Sequence, residues 1–216
     1  MLNKSVLAAA ALLVLAGAAN ANLVLDGSFE AVQIDSPGWG SFPGTSMPGW
    51  TATGGALEVR SDLVGSAQDG ANFVELDSDA NMSISQVIDT IAGQTYTLSF
   101  WYSNRPTDPV YNSQWPNDVV PAESNGLLLD LGNGAFSVYT PAANTTSDNQ
   151  WQEYTTTFVA TGPTTLTFSA TGWSDSYGTS LDNIVVTGVV PEPAQLSLMV
   201  AGLLMAGGIA RRVRKG

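Results

Sequence analysis

Two kinds of side chain in this 216-residue chain could do chemistry: its nineteen carboxylates and its nineteen aromatic rings. There is no histidine and no cysteine. Ser-His-Asp and Cys-His catalysis, His-ligated zinc or iron, and disulfides are therefore all excluded. Acid–base work would fall to a pair of carboxylates, as in glycoside hydrolysis. Eighteen acids lie between Asn22 and Val190, so abundance alone singles out no pair. No G-x-S-x-G elbow is present. Gly132-Asn133-Gly134 is half a nucleotide fingerprint and reads as a turn. Asp77-Ser78-Asp79-Ala80-Asn81 starts like an EF-hand loop, with oxygen donors at alternate positions, but Met82 stands where Gly is needed and Ile88 where a bidentate Glu belongs. It reads as an acidic turn between strands. Among the six tryptophans, Trp101 and Trp151 sit on alternating strands and are expected in the core. Trp39, Trp115, Trp173, Tyr111 and Tyr177 sit in polar, Gly- or Pro-rich stretches. A single loop tryptophan can simply plug the end of a sandwich. The set around Tyr111 and Trp115 reads as a ligand-binding surface, because exposed rings stack on the apolar faces of sugars.

The elements that must position these residues are strands. Between Asn22 and Val190 the chain is rich in Thr, Ser, Gly, Asn and aromatics, a strand-and-turn composition. "QTYTLSFWYS" puts Tyr96, Leu98, Phe100 and Tyr102 on one face. "NMSISQVID" alternates Met82, Ile84, Gln86 and Ile88. "GLLLDLGNGAFSVYT" reads as two strands joined across Gly132-Asn133-Gly134. "WQEYTTTFVAT" and "TTLTFSATG" read as a further pair, and "SLDNIVVTGVV" closes the domain. Earlier strands are expected at Leu23–Leu25, Gly49–Thr53, Ala56–Arg60 and Asn72–Leu76. No stretch between Asn22 and Val190 has helical periodicity. About nine short strands with frequent turns predict an all-β, two-sheet antiparallel sandwich. Ser103–Asn125 interrupts the strands with four prolines, a long insert of the kind that is usually functional or disordered, and it carries Tyr111 and Trp115.

Charge narrows the partners. Only Arg60 and Arg105 oppose the eighteen acids between Asn22 and Val190, leaving that stretch near −16. This argues against nucleic acid and anionic lipid, and is compatible with divalent cations or neutral ligands. The ends differ in kind. Met1–Ala21 has one cation, Lys4, an apolar run from Val6 to Ala19, and Ala19-Asn20-Ala21, the pattern of a secretory signal peptide helix cleaved after Ala21. The far end has Pro191-Glu192-Pro193, an apolar run from Ala194 to Ala210 that is short for a membrane span, and a basic tail over 211–216 with Arg211, Arg212 and Arg214. The tail is expected to stay on the cytoplasmic side.

That tripartite end resembles the PEP-CTERM sorting signal of Gram-negative bacteria. The resemblance implies an exosortase as processing partner, transient anchoring through a C-terminal transmembrane helix, and a final location at the cell surface or outside the cell, often alongside exopolysaccharide. The order of "NLVLDGSFE", "GANFVELDS", "ISQVIDTIAGQTYTLSFWYS" and "SLDNIVV" over about Asn22–Val186 resembles the galactose-binding-like jelly roll. That fold includes many carbohydrate-binding modules and a cell-wall family of unassigned function in plants and bacteria. In related modules a structural calcium is held by a Glu after the opening motif and an Asp in the closing one. The resemblance implies Ca²⁺ at Glu30 and Asp182, with Asp26 and Asn183 nearby, in the first and last strands. The alternative is that both carboxylates merely bind backbone amides. The chain is thus expected to have a jelly-roll domain over 22–187 between a signal over 1–21 and a sorting signal over 188–216. It is expected to be non-catalytic and to bind extracellular polysaccharide or matrix. A structural or adhesive protein binding protein partners or itself is the second reading, and a carboxylate-based glycoside hydrolase the third.

Overall fold

The protein is described by a computed structural model over residues 21–132, 134, 136–139 and 142–188. The secretory leader, the Pro191-Glu192-Pro193 signal, the apolar run and the basic tail all lie outside these residues, apart from Ala21. Eleven strands form two antiparallel sheets. They are β1 (Gly38–Pro43), β2 (Thr51–Thr53), β3 (Ala56–Ser61), β4 (Asn72–Glu75), β5 (Ser83–Ile88) and β6 (Thr95–Ser103). After the insert follow β7 (Leu127–Asp130), β8 (Phe136–Tyr139), β9 (Gln152–Val159), β10 (Thr164–Ala170) and β11 (Ser180–Gly188). One sheet has the order β1-β3-β4-β11-β6-β9, the other β2-β5-β10-β7-β8. The only helices among the described residues are two single 3₁₀ turns in the insert, at Pro116–Asp118 and Ala122–Ser124.

Alternation builds the core between the sheets. Tyr96, Leu98 and Phe100 of β6 are buried and Tyr102 packs against them, as the pattern predicts. Ala52, Ile84, Phe168 and Leu129 meet them from the other sheet, each paired directly with the next across β2, β5, β10 and β7. Phe100 and Phe168 touch edge to face across the sandwich, with centroids 5.0 Å apart. Trp50 closes one end of this core and donates its indole N–H to the Asp26 carbonyl at 3.0 Å.

The structure corrects several expectations. Leu23–Leu25 is not a strand. The Gln86 side chain accepts from the Leu25 N–H at 2.7 Å and donates to the Leu25 carbonyl at 2.9 Å, so a side chain takes the place of a neighbouring strand. Glu30 therefore lies in an irregular turn, not in a first strand, whereas Asp182 is in the last strand as expected. Strands β9 and β10 are not paired: β9 bonds β6, and β10 bonds β5 and β7 in the opposite sheet. The residues between them cross from one sheet to the other. Strand β1, rich in Gly with a terminal Pro, was not foreseen; it is an edge strand, where such residues are tolerated. Strands β7 and β8 do pair about the predicted turn, with φ of 70° at Gly132 and 80° at Gly134. Trp101 and Trp151 are not in the main core. Trp151 instead packs on Phe73, with ring centroids 5.8 Å apart, on the outer face of the six-stranded sheet.

Candidate functional site

Three of the predicted rings come together. The Trp115 and Trp173 rings lie 5.7 Å apart at 31°, and Tyr177 meets Trp115 edge-on at 6.2 Å. Two loops deliver them. Trp115 comes from the insert after β6, while Trp173 and Tyr177 come from the loop between β10 and β11. The Trp173 N–H donates to the Glu123 carbonyl at 3.0 Å, and Ser124 Oγ donates to Asp175, so the loops are stitched together beside the rings. Trp173 is 49 % exposed and Tyr111 44 %. The Trp115 indole nitrogen is buried without a hydrogen-bond partner. Trp39 is elsewhere: it sits on edge strand β1 opposite Arg60, exposed, and makes no ring contact with the other four.

Beneath the rings is a buried ion cluster that the sequence analysis did not single out. Glu75 of β4 is fully buried between Arg60 of β3 and Arg105 of the insert. Arg105 Nη1 reaches both Glu75 oxygens, at 3.1 and 2.8 Å. Its Nε donates to Asn112 Oδ1 at 2.6 Å and its Nη2 to the Tyr111 carbonyl at 3.2 Å. The guanidinium carbon lies 4.9 Å from the Tyr177 ring centroid. Glu75 in turn accepts the Gly178 N–H at 2.8 Å. Burial raises the Glu75 pKa, opposed by the two guanidiniums. Burial lowers that of Arg105, opposed by Glu75. The one available signal was compositional: these are the only two cations in a very acidic stretch.

Of the acids named for calcium, Glu30 and Asp182 bond the 66–72 loop and Asp26 does not. Glu30 Oε1 accepts the N–H groups of Ala71 and Asn72 at 2.8 and 2.7 Å. Asp182 Oδ2 accepts those of Gln68 and Asp69 at 2.7 and 2.9 Å, and Oδ1 that of Asn183. The Asn183 side chain donates to Gln68 Oε1. Asp26 Oδ1 accepts from Ala31, while Oδ2 is buried with no partner. Burial pushes Asp182 up to about 7, and the backbone N–H groups only partly offset it. Among the described residues no three acidic side chains form a metal-holding group. Any ion here would need backbone carbonyls or water to complete its shell of six to eight oxygens.

Solved structures share this fold. The CBM61 module TmCBM61 in complex with β-1,4-galactotriose is 16 % identical with a TM-score of 0.46, covering 78 % of this chain and 99 % of its own. The MgGH51 α-L-arabinofuranosidase in its arabinose-bound form is 13 % identical with a TM-score of 0.51, covering 80 % of this chain and 27 % of its own. A family 35 carbohydrate-binding module from Clostridium thermocellum is 14 % identical with a TM-score of 0.39, covering 68 % and 96 %. No curated protein sequence matches the chain. The family model described as "Protein of unknown function (DUF642)" matches residues 22–187, most of the chain, and the protein belongs to that family.

Proposed function

We propose that this protein is an exported, non-catalytic jelly-roll domain that binds polysaccharide through the surface formed by Trp115, Trp173, Tyr177 and Tyr111. The observation that carries the reading is the ring cluster itself. Two loops from different parts of the chain converge to place three aromatic rings side by side, with Trp173 left open to solvent, and the exposed Tyr111 stands on the same insert as Trp115. Burying these rings in a core would have been the cheaper use of their area. One solved neighbour of this fold, the MgGH51 α-L-arabinofuranosidase, is arabinose-bound, which agrees with sugar binding without assigning a ligand. Export and sorting complete the proposal: a leader ending at Ala21, and a Pro191-Glu192-Pro193 signal with Arg211, Arg212 and Arg214 read by an exosortase.

The test is retention in gels containing neutral polysaccharides such as galactan, xylan, mannan and glucan. Wild-type protein should be retarded by at least one. A stacked ring contributes about 1–2 kcal/mol, so Trp173→Ala should weaken that retention about tenfold while leaving the melting curve in place. Equal retention of wild type and variant would remove the rings from the ligand surface. A self-associating adhesive domain is the second reading. It is favoured by Phe136 and Val138, 67 % and 56 % exposed on edge strand β8, whose outer edge is unpaired among the described residues. A concentration-dependent dimer lost in Phe136→Lys would support it.

A further inference from the structure

Resting on the glycan reading above, we propose that the aromatic surface is selective for glycans without acidic groups, and that Arg105 is the positioning residue that sets it. Each loop that supplies a ring is tied to the same ion pair. On the insert side, Arg105 Nε holds Asn112, whose carbonyl accepts the Trp115 N–H at 2.9 Å. The Asn112 side chain also donates to the Pro106 and Asp118 carbonyls, closing the insert on itself. Arg105 Nη2 fixes the Tyr111 carbonyl. On the other side, Glu75 holds the Gly178 N–H and the guanidinium lies against Tyr177. One buried guanidinium–carboxylate pair therefore ties the Trp115 loop to the Trp173–Tyr177 loop from below, where the Trp173–Glu123 and Ser124–Asp175 bonds join them beside the rings. Only arginine supplies the fork that makes these contacts together; lysine keeps the charge but not the geometry.

The same arrangement decides the charge of the ligand. Arg60 and Arg105 are the only cations among the described residues, and both are buried against Glu75. Arg60 also faces Glu58 and Asp108. Burial closes both guanidiniums off from an incoming carboxylate or sulfate, including Arg60 Nη1, which has no hydrogen-bond partner. Apart from the buried Arg105, the charged residues bonded within these two loops are acids, among them Asp118 and Glu123, whose backbones bond Trp115 and Trp173, and Asp175, which accepts from Ser124. An acidic sugar would have to shed water next to carboxylates with no counter-charge to replace it. An uncharged sugar needs only the rings, of which Trp173 is half exposed, and neutral donors.

Two measurements on the full protein test this. The first needs no ligand. Trp115 and Trp173 are the only two indoles in ring contact with each other among the described residues, and such a pair gives an exciton couplet in circular dichroism. Arg105→Lys should lose the couplet. Arg60→Lys, which disturbs the same Glu75 but removes no hydrogen bond to either ring-bearing loop, should keep it even if its melting temperature falls as far. A couplet that survives Arg105→Lys, or that Arg60→Lys loses equally, reduces the cluster to a structural role and overturns the positioning claim. The second is gel retention on neutral galactan, xylan, mannan and glucan against polygalacturonate, alginate and hyaluronan at low salt. Retention on a neutral polymer at least tenfold stronger than on any polyuronate, and lost in Arg105→Lys, is expected. Equal or stronger retention on a polyuronate overturns the selectivity. Retention on none of them overturns both the selectivity and the glycan reading, while the couplet still decides the role of Arg105.

Discussion

Asp77 is fully buried, and its two carboxylate oxygens fare differently. Oδ2 accepts the N–H groups of Asp175 and Ser176 at 2.9 and 3.1 Å; Oδ1 is buried with no partner. Burial is the largest influence on this group and raises its pKa above the ordinary 3.8. A carboxyl that holds its proton more tightly in the fold than in the unfolded chain has a definite sign. Its contribution to stability is full below the unfolded pKa and is lost as pH rises through the folded one. Wild-type protein should therefore lose more stability than Asp77→Asn as pH climbs from about 3 through the range above 3.8. Urea midpoints of the two proteins over a pH series measure this; parallel profiles would contradict it. The alternate oxygens at Asp77, Asp79 and Asn81 were legible in the sequence, and so was their failure as an EF-hand. The turn that forms pairs Asp77 with Asn81 in a β-bridge. Its burial under the 173–177 loop was not legible, because nothing in a local stretch says what will fold over it.

Strands were legible where one face is buried and the other wet, since alternation then marks the inner residues, as in β5, β6 and β10. Strand β4 breaks this rule: Asn72, Phe73, Val74 and Glu75 are all buried. Val74 faces the main core, while Phe73, opposite Arg60, faces the outside of its sheet. Phe73 is buried there apart from the main core, with Trp151 against it, and Val64 and Val120 are likewise buried outside the main core. The 66–72 loop and the insert thus cover a sheet face that a two-layer sandwich would leave wet. Nothing in the local sequence marks Arg60, Glu75 and Arg105 as a buried cluster; the covering loops make them internal. Phe73→Ala should then cost about 3 kcal/mol or more, like a deletion in the main core. An exposed phenylalanine would cost well under 1 kcal/mol. Chemical denaturation distinguishes the two, and a small value would mean that the loops do not seal this face.

Over the whole molecule, two cations face eighteen carboxylates between Asn22 and Val190, without a disulfide. Self-repulsion at that charge works against the compact state. The fold answers part of it with backbone N–H groups: Glu30 and Asp182 clamp both sides of the 66–72 loop, joining the N-terminal turn to the last strand. The proposed Ca²⁺ would act at the same junction. Asp26 Oδ2 is a buried oxygen there with no partner, and an ion bound to it would neutralise charge that the amides leave uncompensated. A ligand that binds only the folded state stabilises it by about 2.7 kcal/mol at a hundredfold excess over Kd. Millimolar Ca²⁺ should accordingly raise the melting temperature by several degrees, with Mg²⁺ doing less because it demands a tighter octahedral shell. Asp182→Ala lowers stability in any case by releasing Gln68 and Asp69, so the informative quantity is the difference between calcium and chelator within each protein. That difference should vanish in Asp182→Ala and shrink in Asp26→Asn. Screening alone would instead show as an equal shift from Mg²⁺ or from salt of matched ionic strength. Identical melting of the wild type in calcium and in chelator would mean that the amides hold this junction without an ion.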